Sequence, residues 1–128
     1  MIDHMGVSVR DYQGSKRFYA AALAPLGIGE IVEVTPDQNP TGWACGFGKA
    51  GKPFFWIGEG KQADEGMHVA FLAETRAEVD AFHAAALAAG ATDNGAPGLR
   101  PIYHPAYYGA FVRDLNGFNV EAVCHGPE

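Results

Sequence analysis

Two histidines and one glutamate lie in apolar segments where a polar side chain is unusual. His4 and His68 each sit in a short run that alternates between two faces, and Glu121 lies in the apolar segment 118–123. A carboxylate buried in such a strand is costly unless it is paired, hydrogen-bonded or bound to a metal. Two imidazoles and a carboxylate on one face of a divalent ion leave open positions at which a substrate oxygen can be polarised. These residue types therefore predict a metal site.

An internal repeat strengthens this prediction. The segment 18–24 (FYAAALA) recurs at 82–88 (FHAAALA), an offset of 64 residues, and the same offset carries His4 onto His68. Taken alone, each of these polar residues is more often a core histidine with satisfied hydrogen bonds or a glutamate at a sheet edge. Two histidines at equivalent positions, with a carboxylate in the last strand, favour metal binding instead. Their small neighbours, such as Gly6 and Ala70, predict a cavity on the histidine face.

The elements that would position these residues follow the same order in both halves. A strand is expected at 2–9, then a helix from residue 11 or 12 that Pro25 and Gly27 end, and three further strands. The second half begins with a strand at 67–73 and a helix whose start has capping-box spacing from Thr75 to Glu78. The remaining strands are predicted at 29–34, 42–47, 54–58, 91–94, 107–113 and 119–124.

The sequence thus predicts an α+β fold of two βαβββ modules within one domain, residues 1–128. Module one spans 1–60, a polar linker 61–65, and module two 66–128. A chain of this length can bury an ordinary core without a second domain.

A second cluster lies in the loop that precedes the penultimate strand. It contains Arg100, Tyr103, His104 and Tyr107, stiffened by two prolines. One interpretation is a substrate-pocket wall formed by Arg100 and Tyr107, in which Tyr103 or His104 acts as an acid or base. A packed loop with aromatic plugs is the other.

Two tryptophans and two further histidines remain to be placed relative to the pocket. Trp43 and Trp56 are candidates to line it, although core packing would also explain them. His83, on the second helix, and His125, in the tail, are expected to lie outside the site.

The repeated module, the strand-borne His4 and His68, and the closing segment 111–121 (FVRDLNGFNVE) resemble the vicinal oxygen chelate superfamily. This group contains glyoxalase I, extradiol dioxygenases, fosfomycin-resistance thiol transferases and bleomycin-resistance proteins. The resemblance covers essentially the whole chain. It implies that His4, His68 and Glu121 are the metal ligands and that the paired modules form curved, cup-like, eight-stranded sheets. It also implies a homodimer. In some members of the superfamily, the ligands of one metal ion come from two chains.

One departure from glyoxalase I limits the expected activity. That enzyme has a fourth ligand, a glutamate in the last strand of the first module, which also serves as the base. The offset of 64 residues places Ile57 at this position, and Glu59 borders the linker. The resemblance therefore implies a glyoxalase-like enzyme without true glyoxalase I activity.

Two functions remain open from the sequence. The first is a metal-dependent enzyme, of a lyase, isomerase or dioxygenase-like kind, that uses one divalent ion (Zn, Ni, Mn or Fe) on a small oxygen-chelating substrate. The second is a metal-free protein that binds a small molecule, of the bleomycin-resistance type. The formal net charge of −6 disfavours nucleic acid as a partner, and no run of apolar residues predicts a membrane span. Two unclustered cysteines suit a cytoplasmic location.

Overall fold

Each half of the chain forms one helix and one four-stranded mixed sheet in the computed structural model, which describes residues 1–61 and 66–127. This confirms the α+β class and the two βαβββ modules. The linker prediction falls largely outside the described residues, so the module boundaries stay predictions. The elements are β1 (Met5–Val9), α1 (Tyr12–Leu23), β2 (Gly29–Val34), β3 (Ala44–Lys49), β4 (Lys52–Glu59), β5 (His68–Leu72), α2 (Arg76–Ala88), β6 (Thr92–Leu99), β7 (Tyr108–Arg113) and β8 (Asn119–Cys124).

The two sheets share one strand order. The first runs β1-β4-β3-β2 and the second β5-β8-β7-β6. In each, the first strand pairs in parallel with the last, and the other pairs are antiparallel. β1, which follows His4, and β5, which begins at His68, are therefore edge strands, and β4 and β8 lie inside their sheets.

Both helices begin and end where the sequence predicts. The Asp11 side chain accepts from the backbone N–H of Gly14 at 3.0 Å, and Gly27 ends the first helical segment with a φ of 74°. Thr75 accepts from the N–H of Glu78 at 3.1 Å, which confirms the cap of α2. Each helix buries an apolar stripe, except that Leu87 is 38% exposed. The buried members are Phe18 and Ala22 in the first helix and Val79, Phe82 and Ala86 in the second.

One hydrophobic core joins the two modules. α1 packs on α2, and the rings of Phe55 and Phe71 meet edge to face at 5.2 Å. The Tyr19 hydroxyl donates to the buried Asp114 carboxylate, which binds module one to the β7–β8 turn of module two. Within the described residues, no helix is long and apolar enough to cross a membrane.

The largest difference from the predicted elements is β6. Strand signals predicted only residues 91–94, but β6 continues to Leu99 through the Gly95–Gly98 segment. Its pairing with β7 shifts register on either side of Gly95. Glycine and proline are compatible with a bulged edge strand, so a segment that resembles a turn in sequence extends the sheet instead.

Candidate metal and substrate site

Glu121 is the centre of the candidate site. It lies on the interior strand β8, opposite Ala70 of β5 and Phe111 of β7, and only 2% of it is exposed. One carboxylate oxygen, Oε1, lies 3.1 Å from His68 Nε2, and the other, Oε2, accepts from the Tyr107 hydroxyl. Among the described residues, no lysine or arginine forms an ion pair with it. A buried carboxylate without such a partner fits a cation site.

His68 and Glu121 are in hydrogen-bond contact, and their spacing is also compatible with both binding one ion. His68 is the first residue of β5, and its side chain is 47% exposed. Two ligand atoms about 2.1 Å from one ion and at right angles to each other lie about 3.0 Å apart. The observed separation of 3.1 Å is close to this value. An imidazole with a carboxylate also suits Zn, Ni, Mn or Fe.

A cavity of about 330 Å³ opens beside this pair. Three aromatic side chains, Tyr103, Tyr107 and Phe111, complete its lining. Burial and, secondarily, the Glu121 carboxylate raise the pKa of Tyr107 above its ordinary value, so the phenol stays protonated and donates. Tyr103 is 59% exposed and its ring lies 4.9 Å from that of Tyr107. The cavity can therefore hold a small molecule against the two candidate ligands.

The other two predicted residues of the 100–107 loop do not line this cavity. His104 binds through both ring nitrogens, with Nδ1 3.1 Å from the backbone nitrogen of Ala106 and Nε2 2.8 Å from His125 Nδ1. Arg100 donates to the carbonyls of Gly98 and Ala96, and its guanidinium lies 5.5 Å from the centre of the Phe111 ring. Arg100 and His104 instead contact the rings of two lining residues, Phe111 and Tyr107 respectively.

His125 was excluded by sequence reasoning, although it contacts this loop. β7 and β8 pair so that Tyr108 lies opposite Cys124. The residue before β7 and the residue after β8 must then be neighbours. Knowing this hairpin register would have predicted that His125 lies beside Tyr107.

The structure does not bring His4 to the other two predicted ligands within one chain. His4 precedes β1, its side chain is 59% exposed, and its Nδ1 lies 2.7 Å from Asp3. It lines a separate cavity of about 470 Å³. In the described part of the chain, no three His, Cys, Asp or Glu residues are grouped to hold a metal. His68 lines the other cavity with Glu121, although residues 69–72 of β5 also line the His4 cavity.

The two tryptophans lie in module one. Trp56 lines a third cavity, of about 220 Å³, together with Gly6 and Glu59. Trp43 stacks on Tyr12 with ring centres 6.4 Å apart, and its backbone N–H donates to Glu59. Neither is among the residues that line the His68–Glu121 cavity.

Strand pairing corrects the position that corresponds to Glu121 in module one. Glu121 pairs with Ala70, and the equivalent partner of Gly6 is Trp56. Ile57 is fully buried on the core face of β4. The offset is thus 64 residues in the helices and 65 in the last strands. The register therefore places Trp56, not Ile57, at the position equivalent to Glu121.

Comparisons with known proteins agree with this architecture. Residues 1–122 match the model of the Glyoxalase/Bleomycin resistance protein/Dioxygenase superfamily. A glyoxalase/bleomycin resistance protein from Albidiferax ferrireducens is 30% identical, with a TM-score of 0.79 over 98% of this chain and 99% of that chain. No significant match was found among curated proteins.

Two more distant structures show the same fold. One is a mutant of the fosfomycin resistance protein FosX from Listeria monocytogenes, complexed with Mn(II) and a dihydroxypropylphosphonic acid. It is 19% identical, with a TM-score of 0.68 over 99% of this chain and 90% of that one. The other is an antibiotic binding protein from a Streptomyces species, 15% identical, with a TM-score of 0.69 over 97% and 94% of the two chains.

Proposed function

The chain belongs to the Glyoxalase/Bleomycin resistance protein/Dioxygenase superfamily, and from that premise we propose that it is a metal-dependent enzyme acting on a small oxygen-chelating substrate. The observation that carries this proposal is the buried Glu121 carboxylate, 3.1 Å from His68 and without a lysine or arginine partner among the described residues. FosX, a structural relative, binds Mn(II). A bound divalent ion would supply chelation and polarisation of two adjacent substrate oxygens.

The remaining chemistry falls to the cavity wall. His68 and Glu121 hold the ion, and Tyr107 and Phe111 exclude water from the substrate side. Tyr103 is the proposed proton-transfer residue because it lines the cavity and is exposed. His104 loses that role in the proposal, since both of its ring nitrogens are engaged. Position 56, which is equivalent to Glu121 in module one, is a tryptophan and not the glutamate that serves as ligand and base in glyoxalase I. We therefore do not propose true glyoxalase I activity.

The third ligand is proposed to come from a second copy of the chain. His4 is exposed beside the edge strand β1, and His68 begins the edge strand β5. In a homodimer in which these edges meet, His4 of one chain would complete the site of the other. Trp43, Trp56 and Arg100 would then belong to the wider substrate pocket. The two buried free cysteines support a cytoplasmic protein.

Metal binding tests the proposal directly. Chelator-treated protein is titrated calorimetrically with Mn²⁺, Zn²⁺, Ni²⁺ and, without oxygen, Fe²⁺. We expect binding by the wild type and its loss in Glu121→Gln and His68→Ala. His83→Ala is the matched control because His83 is bound to Asp93, outside the cavity. Failure of the wild type to bind any of these ions, or unchanged binding by Glu121→Gln, would refute the metal-dependent function.

A metal-free binding protein is the second candidate. The aromatic wall formed by Tyr103, Tyr107 and Phe111 favours it, as does the structural likeness to an antibiotic binding protein. Calorimetric titrations with aromatic ligands, carried out with and without chelator, separate the two functions, since neither tryptophan lines this cavity. Tight binding that chelator leaves unchanged would support the binding protein, and loss of binding with chelator would support the enzyme.

A further inference from the structure

A continuous set of contacts runs from the Glu121 carboxylate to the C-terminal tail. The Tyr107 hydroxyl donates to Oε2 of Glu121. The Tyr107 ring in turn meets the rings of His104 and His125 edge to face, each at 5.4 Å. The two imidazoles are stacked at an angle of 24° and are joined by a 2.8 Å contact between His104 Nε2 and His125 Nδ1. Tyr107 is thus held between the carboxylate and a pair of histidines.

The backbone fixes which nitrogen of His104 carries the proton. The N–H of Ala106 lies 3.1 Å from His104 Nδ1 and can only donate, so Nδ1 is the acceptor. The proton of the neutral ring is therefore on Nε2, and it points to His125 Nδ1. His125 accordingly serves as an acceptor that fixes the His104 ring against Tyr107.

We propose that His104 and His125 are positioning residues that hold the Tyr107 phenol on Oε2 of Glu121, leaving Oε1 turned toward His68 for the ion. The inference rests on the proposed metal function and adds to it a positioning role for the C-terminal tail. Outer partners that orient a ligand carboxylate typically contribute about 10–100-fold to metal affinity. A merely packed loop would contribute nothing that depends on an acceptor at position 125.

The first experiment measures the affinity of the full-length chain for Mn²⁺ by calorimetry. Tyr107→Phe is expected to weaken binding by about 10–100-fold, and His125→Ala to weaken it by a smaller factor in the same direction. His125→Asn should recover wild-type affinity because the Asn side-chain oxygen supplies an acceptor near the place of Nδ1. Tyr12→Phe is the matched control and should bind normally, since it removes a phenol-to-carboxylate hydrogen bond, to Glu33, that lies outside the cavity. Unchanged affinity in Tyr107→Phe, or equal behaviour of His125→Ala and His125→Asn, overturns the proposal.

The second experiment needs no metal. A phenol hydrogen-bonded to a buried carboxylate should give a slowly exchanging, downfield hydroxyl proton in the NMR spectrum. Tyr19 on Asp114 should give one as well, so the Tyr107 signal is identified as the one that Tyr107→Phe removes. We expect this signal in the wild type and in Tyr103→Phe, its loss in Tyr107→Phe and His125→Ala, and its return in His125→Asn. If the wild type binds no ion but follows this pattern, the metal function fails and the positioning role stands. If the ion binds but the signal is absent, or does not respond to position 125, the positioning role fails alone.

Discussion

At the scale of single residues, Glu121 places a carboxylate in the interior with a phenol and an imidazole as partners. Glutamine would keep both contacts, because its oxygen can accept from Tyr107 and its amide can donate to His68. It would also remove the cost of burying a charge that has no lysine or arginine partner among the described residues. We therefore expect Glu121→Gln to raise the free energy of unfolding of the metal-free protein by about 1 kcal/mol, measured by urea denaturation.

The control for this prediction is a carboxylate that does have a cationic partner. Glu33 accepts hydrogen bonds from Lys16 at 2.8 Å and from Tyr12 at 2.6 Å. The hydrogen bond from Lys16 is the main reason that the pKa of Glu33 lies below its ordinary value. Glu33→Gln should therefore lower stability slightly, the opposite sign. Loss of stability in Glu121→Gln comparable to that in Glu33→Gln would mean that the buried charge is well compensated without metal.

Residue patterns identified part of the candidate site. His68 and Glu121 could be expected together, because an apolar strand that carries a polar side chain is unusual and both stand out in this way. His125 could not be selected by its own neighbours, which resemble a solvated tail. Its role depends on the β7–β8 register. His4 was predicted as a metal ligand from its residue type and from its equivalence to His68 in the repeat. Neither observation shows whether His4 would bind the ion of its own chain or that of a second chain.

At the scale of elements, the second module has one more residue than the first between its helix and its last strand. This extra residue decides which side chain of β4 is equivalent to Glu121 of β8. Trp56 occupies the equivalent register, opposite Gly6, and Ile57 points into the core. In the proposed dimer, Trp56→Glu would add a fourth ligand, which would be the second carboxylate. We expect it to tighten Ni²⁺ or Zn²⁺ binding by about tenfold or more, because ligand charge strengthens cation binding, as measured by calorimetry.

The neighbouring position provides the contrast. Ile57→Glu would bury an unpaired carboxylate in the core and should unfold the protein or lower its Tm sharply without any gain in affinity. If Ile57→Glu were tolerated and tightened metal binding while Trp56→Glu did not, the register described for β4 would be wrong.

Local signals predicted most elements because their patterns are strong. Helix caps at Asp11 and Thr75 and the repeated apolar stripe gave both helices, and the ranges of β2 and β8 agree with the structure residue for residue. β6 was predicted too short because pairing with β7 outweighs the turn preference of its glycines. The equivalence of position 56, and not Ile57, to Glu121 could not be seen in the sequence, because the helical segments align at an offset of 64 without a gap.

At the scale of the whole molecule, the Tyr19–Asp114 hydrogen bond joins the modules across their shared core. Asp114 also accepts from the backbone N–H groups of Asn116 and Phe118 and from the Asn116 side-chain amide, so it keeps three donors when the phenol is lost. Tyr19→Phe should lower the free energy of unfolding by about 2 kcal/mol, the usual range for a bond to a charged group. Urea denaturation should remain a single transition, and Tyr103→Phe, an exposed change, should leave stability unaltered. Two separate transitions in the wild type would show that the modules do not share one cooperative core.

The proposed dimer can be tested by combining two defective chains. His4→Ala and His68→Ala should each fail to form the three-ligand site. In a mixed dimer whose ligands come from both chains, His4 of the His68→Ala chain meets His68 and Glu121 of the His4→Ala chain, so one of the two sites is complete. Random reassociation of equal amounts makes half of the dimers mixed and should restore about a quarter of wild-type metal binding. Calorimetry after unfolding and refolding the mixture measures this fraction, with each variant refolded alone as the control. If mixing restores nothing while both variants are dimeric by light scattering, each chain must build its site alone, and His4 does not contribute to the site of the other chain.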